Sequence, residues 1–264
     1  MTKFITTIMS DNKMKPIKAK DLLELDQEMK VVMIRQSQLP QTLVWQAGKN
    51  DYSEVPIHTV MPPVEKECGK WVIEHLLAND RGHWGPLEHP AITFDCVGFV
   101  HNVIVQARTH RVGVSFDVQS QRYTGRRVLK VAKGELKPRQ VFYVRPEGLY
   151  LDRKGHKYEW TQEDYERQLK FCLAASERYS EGYEKRGMAE EHLRDHLPQN
   201  IRQNFVVTFS LRAVLHFLDL RAKLDAQVEI QALCEGMIPA IKEWVPEIFS
   251  YYEEKRLHRA RLSP

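Results

Sequence analysis

No stretch of this chain stays apolar for long enough to span a membrane, and the N-terminal MTKFITTIMSDNKMK has no sustained apolar core of the kind a secretory signal needs. A cytoplasmic location with no membrane partner is therefore expected. Cysteine is sparse: Cys68, Cys96, Cys172 and Cys234 lie far apart and form no CxxC pair, which argues against a disulfide framework and a zinc site. These thiols should be reduced and mostly buried. A linker rich in Pro, Gly or Ser is also missing, so the 264 residues read as a single domain with one substantial core. No internal repeat is found, no GxGxxG follows a strand pattern, and there is no Walker loop, so ordinary Rossmann or P-loop nucleotide binding is not supported. Strong net charge is lacking as well. A value of +4 is too weak by itself to imply nucleic acid, yet suits small anionic substrates.

What the chain does have is a local concentration of cations. Val105 to Arg127 carries Arg108, His110, Arg111, Arg122, Arg126 and Arg127 around Ser115 and Ser120, with Asp117 as its one acid. Guanidinium groups donate paired hydrogen bonds to oxyanions, so this composition suits phosphate. The cations alternate with Val112, Val114, Phe116, Val118 and Tyr123, whereas a solvated basic run would be more uniformly polar.

Periodicity predicts the scaffold. Lys30 to Ile34 reads as a buried strand, Pro40 as a turn, and Val64 to Leu76 as an amphipathic helix ending near Gly82. A helix over 102–111 puts Gln106 and His110 on one face, with Arg108 about 200° away from Gln106 on another surface. Residues 113–121 read as a phosphate-capturing loop, Arg122-Tyr123 as the start of an extended segment, and 141–145 as a strand. Residues 147–160 look turn-rich, and Thr161 caps a long helix through a Thr-x-x-Asp box. Ile201 to Phe209 reads as a strand and Ser210 as the cap of the next helix. On that helix Leu211, Val214, Leu218 and Arg221 share a stripe, so an apolar stripe ends in a cation that needs an internal carboxylate or a bound ligand. The last forty residues read as helical with breaks near Pro239 and Pro246, ending in a solvated basic tail. His83, Glu88 and His89 meet in a Gly-Pro turn, but their spacing is neither HExxH nor its inverse, and metal binding is set aside.

Four ordered blocks can then be read together: His83-Trp84-Gly85-Pro86-Leu87-Glu88-His89; Thr109-His110-Arg111 followed by Ser120-Gln121-Arg122-Tyr123; Arg194 with Leu197-Pro198; and Ser210 to Glu229. In this order they resemble flavin-dependent thymidylate synthase. Thr109 stands where that family's triad opens with Arg, and the spacer from Arg111 to Ser120 is one residue longer than usual. Gly85, Ser210 and His216 also differ from the residue types common there.

The resemblance implies an α/β fold with an antiparallel-rich sheet flanked by helices. It implies methylation of dUMP to dTMP, with methylenetetrahydrofolate as carbon donor, FAD as hydride carrier and NADPH as reductant. Carried over residue by residue, Gln106, Thr109, Gln119, Ser120, Gln121, Arg122, Arg194 and Arg221 match positions that hold the substrate. His83, Gly85, Glu88, Thr109, His110, Arg111, Ser210, Arg212 and His216 match positions around the cofactor. Arg221 would stabilise charge developing on the ring carbonyls, and Ser120 would orient substrate rather than attack it. The family also implies a homotetramer whose active sites draw on several subunits. Two rivals remain: a flavoprotein of the same fold acting on another nucleotide, and a basic nucleic-acid-binding protein whose affinity would fall steeply with salt.

Overall fold

A computed structural model describes residues 15–259, apart from the Asp80 side chain. The reading of the N-terminus falls outside the described residues, as does that of the last five positions of the tail. In chain order, Ala19–Leu25 forms α1, Lys30–Gln36 β1, Pro40–Asn50 α2, and Glu65–Val72 α3, which continues into a π turn at Ile73–Leu77. Ala91–Val100 forms β2, His101–Ala107 α4, Val114–Val118 β3, Gln121–Thr124 α5, Arg126–Ala132 α6 and Pro138–Val141 α7. The hairpin of β4, Gly148–Leu151, and β5, Lys157–Trp160, leads to α8, Gln162–Glu184, and α9, Glu190–Leu193. The chain then forms β6, Arg202–Ser210, followed by α10, Leu211–Arg221, α11, Val228–Trp244, and α12, Pro246–Lys255.

The main sheet has the order β1-β2-β6-β3, and every pair in it is antiparallel. Strand side chains alternate between faces, and here the alternation sorts them by polarity. Ile92, Phe94 and Cys96 on β2 and Phe205, Val207 and Phe209 on β6 are buried in one cluster with Leu211, Val214 and Leu218 of α10 and Leu233, Met237 and Ile241 of α11. Each fully buried side chain of this kind contributes about 1.5–3 kcal/mol. That packing pins α10 to the sheet and so fixes where Arg221, its last residue, emerges. A smaller cluster joins Val128 and Val131 on α6, Cys172 and Tyr179 on α8, and Leu193 on α9. All four cysteines are buried and unbridged.

A bulge between Cys96 and Phe99 turns β2 toward α4. Gly98 makes it possible: its φ is +73°, and a Cβ there would lie 2.0 Å from the Glu28 carbonyl oxygen. The Gly98 carbonyl accepts from Arg202 Nη1 at 2.7 Å, and Arg202 Nη2 donates to Asp26 Oδ2 at 2.6 Å, an ion pair buried at both ends.

The structure corrects several expectations. Lys30–Gln36 is a strand, but it lies at the sheet edge and exposes Val32, Met33 and Ile34. Pro40 opens α2, because its fixed φ and missing N–H suit the first helical turn. Residues 114–118 form β3, not a loop: Val114, Phe116 and Val118 alternate with Ser115 and Asp117 along the flank of β6. Arg122 and Tyr123 lie in α5, not in an extended segment. Residues 141–145, expected to be a strand, are not one: Val141 closes a helical turn that Pro138 opens, and Phe142 makes an isolated bridge to Ile201. Pro239 does not break α11, which buried Met237 and Ile241 hold on either side. The described part of the basic tail is anchored: Arg256 pairs with Asp219 at 2.8 Å, and Leu257 is buried. Among the described residues no helix is long and apolar enough to cross a membrane.

Candidate active site

The helix expected over 102–111 stops at Ala107, and the cause is local. The Thr109 hydroxyl donates to the Gln106 carbonyl at 2.8 Å, taking the acceptor that the next helical turn would use. Gly113 then reverses the chain with φ +66°. A Cβ at that position would sit 2.5 Å from Ser210 Oγ, so residue 113 must be glycine for β3 to begin beside the start of α10. Ser210 caps α10 as expected, accepting from the Ala213 N–H.

This turn brings Thr109 and His110 against the end of α10. Arg221 Nε donates to His110 Nε2 at 3.0 Å, and Arg221 Nη2 donates to the Gln106 carbonyl at 3.1 Å and to Thr109 Oγ1 at 2.8 Å. All three acceptors are uncharged, and no carboxylate lies within 4.0 Å of Arg221 among the described residues. The expected internal carboxylate is thus absent from those residues, and burial pushes the guanidinium below its usual pKa. His110 is itself buried, with ring centroids 5.2 Å from His216 and 4.9 Å from Phe217. Burial, then the charge of Arg221, then His216 lower its pKa to about 4, so it is neutral at pH 7 and accepts from Arg221 through Nε2.

Beyond α4 a cleft of about 730 Å³ opens, lined by Arg108, Thr109, Arg111, Ser120, Gln121 and Arg194 among others. No acidic residue lines it, and no carboxylate lies within 4.0 Å of Arg108, Arg111 or Arg194 among the described residues. Cations held together without counter-charges make a site for anions, and the volume suits a nucleotide-sized ligand. Ser120 caps α5 through the Arg122 N–H, and the carbonyl of Gln119 accepts from Gln203 Nε2 at 3.2 Å. Arg122 does not line the cleft; it pairs with Glu191 at 3.2 Å and lies over the Tyr123 ring. Nor do Arg126 and Arg127 line it.

Of the remaining candidates, Arg212 and His216 lie on α10 and Gly85 and Glu88 in a turn packed against it, whereas His83 lies beside the end of α2. Glu88 pairs with Arg212 at 2.6 Å, and His83 lies 3.4 Å from Asp51. A side chain at Gly85 would meet nothing within 4 Å, which leaves open surface beside this group. His216 is lowered in pKa by burial first, with Asp219 opposing. Among the described residues no group of His, Cys, Asp or Glu has the arrangement of a metal site.

The shared helical face expected for Gln106 and His110 does not form, because α4 stops at Ala107; the two residues are linked through Arg221, which donates to the Gln106 carbonyl and to His110 Nε2. Arg108, which matches none of the family's site positions, lines the cleft. The angular offset of Arg108 from Gln106 was the informative signal, because the different surface it faces is the cleft. Gln227 and Glu229, which tie Gln106 in place, were missed as individual residues.

A family profile described as thymidylate synthase complementing protein matches residues 32–247. A flavin-dependent thymidylate synthase of Halobacterium salinarum is 32% identical over 250 residues, covering 89% of this chain and 100% of the relative. The enzyme of the same description from Haloarcula marismortui is 32% identical over 252 residues, with the same coverage of both chains. The chain belongs to the flavin-dependent thymidylate synthase family.

Membership in this family makes it an enzyme, a methyltransferase. Solved structures agree on the fold. Helicobacter pylori thymidylate synthase X, determined with FAD and dUMP, superposes with a TM-score of 0.60 at 16% identity, covering 85% of this chain and 98% of that one. The UMP/dUMP methylase PolB of Streptomyces cacaoi, bound with 5-Br UMP, gives 0.66 at 20% identity, covering 89% and 96%. The antiparallel sheet flanked by helices is therefore the fold of the flavin-dependent thymidylate synthases, as the sequence blocks implied.

Proposed function

We propose that this enzyme methylates dUMP to dTMP, taking the carbon from methylenetetrahydrofolate, with FAD as hydride carrier and NADPH as reductant. The observation that carries the reading is Arg221, a partly buried cation at the end of a rigid helix, held by neutral groups and left without a counter-carboxylate among the described residues. Such a cation stabilises negative charge developing on a pyrimidine carbonyl, because it stays charged and needs no reorganisation. Gln106 and Thr109 belong to the same cluster. Arg108, Arg111, Arg194, Gln119, Ser120 and Gln121, which line the cleft, supply the phosphate side. Arg122 is held by an exposed ion pair worth about 0–1 kcal/mol, weak enough for a phosphate to displace Glu191.

The residues present fit a flavin dinucleotide. His110 and His216 offer flat rings, Arg111 and Arg212 offer charge for a diphosphate, and Gly85 leaves room beside Glu88 and His83. Ser210 holds the N-terminus of α10 in place next to them. When bound, FAD supplies hydride transfer; the chain's own residues bind, orient and polarise the nucleotide.

One chain divides the residues matched to dUMP: Gln106 and Arg221 lie outside the lining of the cleft that holds Ser120 and Arg194. This separation supports a single domain acting in a homotetramer in which neighbouring copies complete the site; Arg221 reaches this copy's cleft through Thr109, which lines it. A second reading, action on UMP, is favoured by the similarity to a UMP/dUMP methylase. Titrating both nucleotides into flavin-loaded protein tests the proposal. Saturable dUMP binding that weakens at least tenfold, about 1.4 kcal/mol, in Arg221→Ala is expected. Absence of dUMP binding overturns it, and tighter binding of UMP than dUMP favours the second reading.

A further inference from the structure

Glu229 is completely buried at the start of α11, and its partners run in one direction. Glu229 Oε1 accepts from Arg145 Nη2 at 2.8 Å and Nε at 3.2 Å, while Arg145 Nη1 donates to Tyr158 on β5 at 2.9 Å. The other oxygen, Glu229 Oε2, accepts from Gln227 Nε2 at 2.7 Å. Gln227 Oε1 in turn accepts from Gln106 Nε2 at 2.6 Å. A buried ion pair adds little stability over apolar residues of equal volume, so the pair calls for another explanation.

The polarity of the chain supplies it. A glutamine amide can be turned end for end, exchanging donor and acceptor, and two facing amides do not decide between the two settings. A carboxylate paired with a guanidinium accepts and does not donate. Gln227 must therefore turn its NH2 to Glu229 and its carbonyl to Gln106. Gln106 must answer with its NH2, and its own Oε1 is left without a protein donor among the described residues.

We propose that Glu229 is a specificity-determining positioning residue: acting through Gln227, it makes Gln106 present a carbonyl oxygen to the nucleotide, which must meet it with a hydrogen-bond donor. This rests on the reading of Gln106 as a nucleotide contact. dUMP has two such donors apart from its phosphate, the ring N3–H and the ribose 3′-hydroxyl. In Glu229→Gln the new amide can donate to Gln227, so both downstream amides are free to reverse.

The test is calorimetric titration of FAD-loaded protein with dUMP, its N3-methyl derivative and its 3′-deoxy derivative. Wild type is expected to lose about fivefold to tenfold in affinity for the derivative lacking the donor that Gln106 meets, which also tells the ring from the ribose. In Glu229→Gln the same derivative should bind within about twofold of dUMP. Gln227→Met cuts the relay while leaving Arg145 and Glu229 paired, and it should level the same ratio even if Glu229→Gln folds poorly. Variants that keep the wild-type ratio, or weaken all three ligands by one common factor, overturn the relay. Equal wild-type affinity for all three ligands overturns the Gln106 contact, and absence of dUMP binding overturns the functional reading itself.

Discussion

Replacing Thr109 with Val removes one hydroxyl and keeps the shape of the side chain. That hydroxyl accepts from Arg221 Nη2 at 2.8 Å and donates to the Gln106 carbonyl at 2.8 Å, so it holds the guanidinium and the end of α4 together. A hydrogen bond to a charged group contributes about 1.5–3 kcal/mol. Nη2 keeps its bond to the Gln106 carbonyl and Thr109 is exposed, so water replaces part of the loss and the low end applies. The expected cost is about 1.5 kcal/mol, roughly tenfold in dUMP affinity and in kcat/KM. Stability should fall by no more than that same amount, because the site is exposed and no core contact is lost. Calorimetric titration of dUMP together with thermal melting separates the two effects, and Thr109→Ser should restore affinity. Unchanged affinity in Thr109→Val, or an equal loss in Thr109→Ser, would refute the claim that this hydroxyl orients Arg221.

Arg221→Ala should abolish dTMP formation while the purified protein still binds FAD, measured by flavin absorbance; normal turnover would disprove its role. His110 has a folded-state pKa of about 4, below the ordinary 6.5. Its neutral form is favoured by folding, so the stability it contributes is complete above about pH 6.5 and is lost as pH falls through that value toward 4. The size is on the order of 3 kcal/mol, so melting curves between pH 7 and 4.5 should fall less steeply in His110→Gln than in wild type. Asp26→Asn leaves Arg202 buried beside a neutral group, and denaturant unfolding should show a loss of about 3–5 kcal/mol. An unaltered midpoint would show that the Gly98 and Arg139 carbonyls, which also accept from Arg202, suffice.

How far the sequence could be read depended on whether the deciding interaction was local. The Thr161 box and the helix it opens were legible because cap and first turn lie within a few residues of each other. β6 and the Ser210 cap were legible for the same reason. β3 was missed although Val114, Phe116 and Val118 alternate cleanly, because the surrounding arginines drew the stretch toward a binding loop. Pro239 was read as a break on local grounds, and the buried contacts of α11 override it. The four blocks placed Arg221 among the substrate residues, but its neutral partners come from a turn 111 to 115 positions earlier. The polarity set by Glu229 passes between groups as far as 121 positions apart and has no period to detect.

The central claim is tested most directly by incubating the purified protein with FAD, NADPH, methylenetetrahydrofolate and dUMP and measuring dTMP by mass spectrometry. The account predicts dTMP that disappears when dUMP or methylenetetrahydrofolate is omitted and in Arg221→Ala. NADPH oxidation with flavin reduction but no dTMP would contradict it.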